Sequence, residues 1–154
     1  MQKTRIMVAI ATVIGMVGTF MPWARMGVIT IDGSVGDGWI TLAFFGVALL
    51  VALIGQRDKL LRGGGAVTVC LLGLVNAGIG ISKLTSFSGL REDLGDAGLF
   101  GSLLQAVTKP GEGLYVIIAA GLVCTALAVY SFNAAKSEAN SLQVEELAVA
   151  PSNN

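Results

Sequence analysis

Gly113–Phe132 reads GLYVIIAAGLVCTALAVYSF, twenty residues without a charged side chain. A helix rises about 1.5 Å per residue and the hydrocarbon core of a bilayer is about 30 Å thick, so a stretch of this length and character crosses a membrane. Working outward, three more uncharged stretches precede it: Ile6 to about Met21, Trp39–Gly55 and Gly64–Ser82. Most sit near the lower length limit of about 17 residues, which suits a thin bilayer and little tilt. None carries the polar face that a helix on a water-soluble core would need. The fold class expected is an all-α membrane protein, a four-transmembrane-helix bundle. Its spans at about 6–21, 39–55, 64–82 and 113–132 make one domain over 1–132, followed by a flexible cytoplasmic tail at 133–154.

Composition agrees with that reading. The 154 residues are 54% hydrophobic and 13% charged, with a mean hydropathy of +0.77, against about 25% charged residues in soluble domains. The charges fall between the apolar stretches, which is the pattern that lipid selects. The formal net charge is zero, so no electrostatic case exists for nucleic acid. Histidine is absent, and with it the commonest proton shuttle and metal ligand.

Lysine and arginine placement sets the expected orientation. With the N-terminus inside, the cytoplasmic side carries Lys3, Arg5, Arg57, Lys59, Arg62 and Lys136, and the outer side Arg25, Lys83, Arg91 and Lys109. The short Gln56–Arg62 connection, with its three cations beside two spans, decides the matter. Asp37 and Glu112 precede spans two and four, where the positive end of each helix dipole faces outward. Both termini are therefore expected in the cytoplasm, in a multi-pass protein of the cytoplasmic (inner) membrane. A cleaved signal peptide is the competing reading of the first span, but Met21-Pro22-Trp23-Ala24 makes a poor cleavage site. Pro22 instead ends a helix, and Trp23, Trp39 and Tyr115 are expected to anchor the outer interface.

The outer segments differ in character. Val28-Ile29-Thr30-Ile31 before Asp32-Gly33 reads as the first arm of a short β-hairpin-like loop, with Ser34-Val35 as the return arm. Residues 83–112 repeat Leu84, Phe87, Leu90 and Leu94, then Leu99, Phe100, Leu103, Leu104 and Val107, at helical spacing, with Gly95 and Gly98 between the two sets. Two short amphipathic outer helices are expected there, lying on the membrane or over the bundle.

Few residues carry chemistry. Ala66, Cys70, Gly73, Ala77 and Gly80 are spaced four, three, four and three on one face of span three, as a close helix–helix contact in lipid requires. A pore lining is the functional alternative for the same stripe. Asn76, the amide in the middle of that span, would bond across to another helix or line a polar cavity. The spans hold no Asp, Glu, Lys, Arg or His, which argues against a proton relay or coupled transporter. Cys70 and Cys124 fall within about 3 Å of the same depth by helix rise and read as packing residues rather than a disulfide or metal site. Asp37, just before Trp39, is expected to cap span two. Asp32 and Asp37 as a cation site would need a denser oxygen set. Gly63-Gly64-Gly65 lacks the Lys-Ser/Thr of a phosphate-binding loop. No nucleophile–base pair or carboxylate dyad can be drawn, so no catalytic residue, metal or cofactor is expected.

Met21-Pro22-Trp23, the glycine-rich Gly36-Asp37-Gly38-Trp39-Ile40-Thr41-Leu42 and Gly111-Glu112-Gly113-Leu114-Tyr115 together resemble a group of small four-span bacterial membrane proteins that are largely uncharacterised. The resemblance covers spans one, two and four with their outer junctions. It implies the architecture and leaves the mechanism open. Claudin-type proteins share the four-span layout, but their longer first outer loop carries paired cysteines that this chain lacks. The expected role is an accessory or scaffolding subunit that associates within the lipid bilayer with itself or another membrane protein. The alternative is a pore-forming or membrane-permeabilising oligomer, channel-like or holin-like.

Overall fold

The computed structural model describes residues 3–54, 64–96 and 98–149. In chain order it contains α1 (Lys3–Phe20), β1 (Pro22–Met26), β2 (Ile29–Asp32), a 3₁₀ turn at Gly33–Val35, α2 (Gly38–Leu53), α3 (Gly64–Asp96), α4 (Gly98–Val107), β3 (Thr108–Pro110) and α5 (Glu112–Val149). Three helical stretches are long and apolar enough to cross a membrane: Lys3–Phe20, Gly64–Gly89 and Glu112–Gln143. α2 is equally apolar but has 16 residues. The expected basic cluster Arg57, Lys59 and Arg62 lies outside the described residues.

The four long helices pack side by side. α1 lies against α2 and α5, and α3 lies against α2 and α5, with α3–α5 the most extensive contact. Their buried faces repeat one pattern. α1 turns in Thr4, Val8, Ala11, Gly15 and Gly18, and α2 turns in Gly38, Thr41, Phe45, Ala48 and Ala52. These residues are mostly small, whereas Ile10, Val17, Leu50, Leu71 and Val129 point outward. Two buried clusters fill the interior. One, nearer the sheet, is built on Trp23, Phe45, Leu114, Ile117 and Ala120; the other holds Val8, Ala11, Ala52, Ala66, Val69, Cys124 and Ala128.

A three-stranded antiparallel sheet of order β2-β1-β3 closes one end. Met26 pairs with Ile29, leaving Gly27-Val28 as a two-residue turn, and Gly27 takes the positive φ of 61° that such a turn demands. The hairpin is thus shifted from its expected place. Residues 29–32 form its second arm, paired back on Pro22–Met26, rather than its first. Asp32-Gly33 enters the 3₁₀ turn, and Ser34-Val35 returns no strand. The sheet's third strand has no period-2 signal in the sequence. Thr108, Lys109 and Pro110 pair with Met26, Arg25 and Ala24, which ties the start of α5 to the end of α1.

Two expected boundaries are corrected. Span three does not stop at Ser82: α3 continues to Asp96, absorbing the first expected outer helix. The polar stretch does not interrupt it because its hydroxyls bond back to the helix, Thr85 and Ser86 to the Ser82 carbonyl and Ser88 to that of Leu84. The second expected outer helix exists as α4, and Gly98 at its start has a φ of 77°. Likewise α5 runs past Phe132 to Val149 instead of yielding to a flexible tail. Residues 133–149 are rich in Ala and Glu with no Gly or Pro, so helix propensity carries the helix beyond the end of the apolar stretch.

Candidate functional site

The stripe on α3 is consumed within the chain. Ala66 and Ala77 are buried, as are Gly73 and Gly80, and Cys70 packs against the cluster that contains Cys124. The facing residues belong to α5. A Cβ on Gly73 would lie 2.6 Å from Thr125 Oγ1 and 2.7 Å from the Gly121 carbonyl oxygen, and one on Gly80 would lie 2.6 Å from Ile118. The contact is reciprocal, since a Cβ on Gly121 would stand 2.6 Å from the Gly73 oxygen and 2.9 Å from the Ala77 nitrogen. Backbone therefore meets backbone, with no room for any side chain. Thr125 Oγ1 donates to the Gly121 carbonyl at 2.9 Å and reaches that of Cys70 at 3.4 Å. Both cysteines are free thiols.

The three sequence segments that carry the resemblance converge at the sheet end, around Trp23. That indole is buried, packed in the cluster with Phe45, Leu114 and Ile117, and its Nε1 donates to the Gly18 carbonyl at 3.3 Å. It is a plug, not the interfacial anchor expected. Glycines fit against it or its neighbours from two sides: a Cβ on Gly33, just before the second segment, would strike the indole and the Thr19 carbonyl, one on Gly111 the Pro22 carbonyl, and one on Gly113 would lie 2.8 Å from the Gly18 oxygen. Trp39 behaves otherwise, 61% exposed with its ring edge-on to Phe20 at 6.4 Å. Tyr115 is also exposed. A small cleft lined by Trp23, Ala24, Lys83, Ser86, Phe87 and Leu114 opens beside the plug.

Asp37 stands at the N-cap position of α2, yet its side chain makes no capping bond. Its backbone carbonyl accepts from Ile40 and Thr41 at 3.0 and 3.3 Å, and its carboxylate is taken by Lys83 of α3. The cap reading is corrected to an ion pair between helices. The reason is local: α3 continues past Ser82, which brings Lys83 alongside the start of α2. Arg25 and Glu112 form a second pair at 2.7 Å, joining β1 to the first turn of α5.

The buried polar residues were harder to read. Thr12 and Thr41 are fully buried and donate to the carbonyls of Ala9 and Gly38 at 2.8 and 2.7 Å. Arg5, expected ahead of the first span, is sealed inside α1 and reaches the Ala52 carbonyl. Asn76 is fully buried, and neither amide atom has a partner; the Ser131 hydroxyl is in the same condition. On α1, Thr4, Val8, Ala11, Gly15 and Gly18 repeat the four-three spacing of the α3 stripe. Among the described residues no group of three or more Cys, Asp or Glu stands together to hold a metal ion. The arrangement offers close helix contacts, a plugged end and outward apolar side chains. No family model, curated protein or solved structure matches the chain.

Proposed function

We propose that this is a four-span protein of the cytoplasmic membrane, both termini inside, that serves as an accessory or scaffolding subunit for itself or another membrane protein. α2 would be the fourth span, short but entirely apolar, and the sheet end would face outward. This reading also takes the chain as a relative of the small four-span proteins it resembles, an affinity supported by the meeting of its three motif segments around Trp23.

One observation carries the associative role. The sheet end leaves large apolar side chains uncovered beyond the lipid-facing helices: Leu99 on α4 is 85% exposed, Leu103 one turn along is 60% exposed, and Val28, Ile29 and Val35 stand open on the sheet side. Apolar groups grouped this way mark interaction surfaces, and β2 is an edge strand with an unpaired side. A channel through a single chain finds no support in the backbone-tight α3–α5 seam, although pores assembled from several copies would leave that seam intact.

A photocrosslinking side chain at Leu103, introduced into the full chain in native membranes, tests the proposal. The expected result is a discrete adduct, lost when Ile29 and Leu99 are both changed to Glu, together with no dye release from liposomes containing the purified protein. Rapid dye release without an adduct would favour the permeabilising alternative. Reporters fused after Ser34, Arg62, Thr108 and Ser137 should read outside, inside, outside and inside; an external signal after Arg62 would overturn the four-span topology.

A further inference from the structure

The end of the bundle away from the sheet holds a charge that no acidic side chain among the described residues balances. Arg5 keeps 6% of its surface exposed. One guanidinium nitrogen, Nη1, donates to the Ala52 carbonyl at 3.5 Å, while Nε is buried without a partner. The Ser131 hydroxyl, fully buried on α5, is also without a partner. These groups share a layer. Val8 and Ala128 belong to one buried cluster, and α1 runs towards the sheet while α5 runs away from it. Arg5 precedes Val8 by a turn and Ser131 follows Ala128 by a turn, so both stand one turn farther from the sheet. The last turn of α2 borders the same layer through Ala52.

The two ion pairs among the described residues, Arg25–Glu112 and Lys83–Asp37, both lie at the sheet end. A single long carbonyl contact returns much less than the desolvation of a guanidinium takes away. The missing complement is an anion with several acceptor oxygens, placed where Nε–H and the serine O–H can both donate. An apolar cleft of about 180 Å³ between α3 and α5 runs beside this layer, and Ala66 and Ala128 of the same cluster line it together with Leu71, Val129 and Phe132. Phosphate and acyl chain thus each have a counterpart at one depth.

We propose that this end of the bundle binds an anionic phospholipid, with Arg5 and Ser131 donating to its phosphate and one acyl chain lying in the α3–α5 cleft. The inference rests on the membrane-spanning reading above. Inorganic phosphate shares the headgroup chemistry but cannot use the cleft, which separates the two sources.

The purified full chain in a neutral detergent would be titrated with phosphatidylglycerol, phosphatidylcholine and inorganic phosphate, following the melting temperature and the lipid retained in native mass spectra. Both lipids carry the phosphate, but in phosphatidylcholine a quaternary ammonium already balances it, so phosphatidylglycerol should bind about tenfold more tightly beside the unbalanced guanidinium, the worth of one charge-assisted contact, and inorganic phosphate should stabilise less. Arg5→Gln should abolish the preference, Ser131→Ala should weaken it, and Val129→Trp in the cleft should reduce lipid retention without altering the phosphate response. Lys3→Gln, an exposed cation of the same turn, should leave the preference intact. Equal binding of the two lipids by the wild type would overturn the site, as would loss of the preference in Lys3→Gln to the same degree as in Arg5→Gln. If Arg5→Gln does not fold, the lipid comparison on the wild type still decides. Alkaline carbonate washing separates the two claims. Release of the wild type from membranes defeats the spanning reading, whereas a retained protein without lipid preference defeats only this site.

Discussion

The seam between α3 and α5 yields a test in which one substitution is made twice on one helix. Gly73 and Gly78 both lie in the middle of α3, but a Cβ on Gly78 meets nothing within 4 Å, whereas one on Gly73 would stand 2.6 Å from Thr125 Oγ1 and 2.7 Å from the Gly121 oxygen. Ordinary contact for such atoms begins near 3.4 Å, so α3 and α5 must separate by several tenths of an ångström, and backbone cannot step aside as a flexible side chain would. Gly→Ala raises helix propensity by about 1 kcal/mol at either site, a gain that cancels in the comparison. What remains is overpacking, about 1–3 kcal/mol against Gly73→Ala. At roughly 2–4 °C per kcal/mol for a chain of this size, Gly73→Ala should melt about 2–12 °C below Gly78→Ala, both followed by circular dichroism in one detergent. Gly121→Ala should reproduce the loss from the other side. The double variant with Gly73→Ala should cost less than the sum, because one separation relieves both clashes. Coincident melting of Gly73→Ala and Gly78→Ala would refute the seam as the main helix contact.

Other outcomes follow from the sheet end and the interior. Asp37→Asn and Asp37→Ala should lose the same small amount, about 0–1 kcal/mol for a half-exposed ion pair, and Lys83→Met should match them; wild-type melting in Asp37→Asn alone would restore a capping role. Trp23→Phe should cost about 1 kcal/mol for the bond to the Gly18 carbonyl, but Trp23→Ala about 3–5 kcal/mol for the emptied plug, read as thermal stability in detergent. Asn76→Leu, which keeps the branch and removes two unpaired atoms, should be neutral or stabilising by about 1 kcal/mol, and a marked loss of stability there would mean that the amide has a partner.

Much of the helical content was legible because lipid imposes a blunt rule: uncharged stretches of about 20 residues become helices. The same rule misled at the ends. It reports where apolar character stops, not where the helix stops: α3 continues past Ser82 through hydroxyls that bond back to its own carbonyls, and α5 past Phe132 through good helix formers. The stripe Ala66, Gly73, Ala77 and Gly80 was found as a contact face because small residues at four-three spacing have one geometric meaning. Its partner face on α5, Leu114, Ile118, Gly121 and Thr125, keeps the same four-three spacing, but its larger residues hide it. Trp23 was misplaced because an aromatic after a proline at a membrane boundary usually lies in the interface. Only Gly33 and the distant pair Gly111 and Gly113 reveal that space is kept for it inside. The pairing of Thr108–Pro110 with β1 could not be read at all, since three residues are too few for alternation to register.

The inverted distribution of side-chain size explains what holds such a chain together. Val13, Val17, Leu71 and Leu122 face outward, while glycine, alanine, threonine and one asparagine make up much of the interior around a few large side chains, Trp23, Phe45, Leu114 and Ile117. In water this arrangement would leave the large apolar surface uncovered. In lipid, burying a leucine against protein or against acyl chains differs little in energy. Specificity must therefore come from shape and from polar groups. Shape is supplied at the Gly73–Gly121 crossing and around the Trp23 plug, where adding one carbon breaks the fit. Polar order is supplied by threonines that satisfy their own hydroxyls and by two ion pairs at the sheet end, where water keeps their strength small. The outward belt, by the same reasoning, offers a protein partner little advantage over lipid. A proposed partner gains most at the sheet end if Leu99, Leu103 and Ile29, all exposed, stand clear of lipid, since their burial from water is favourable in full.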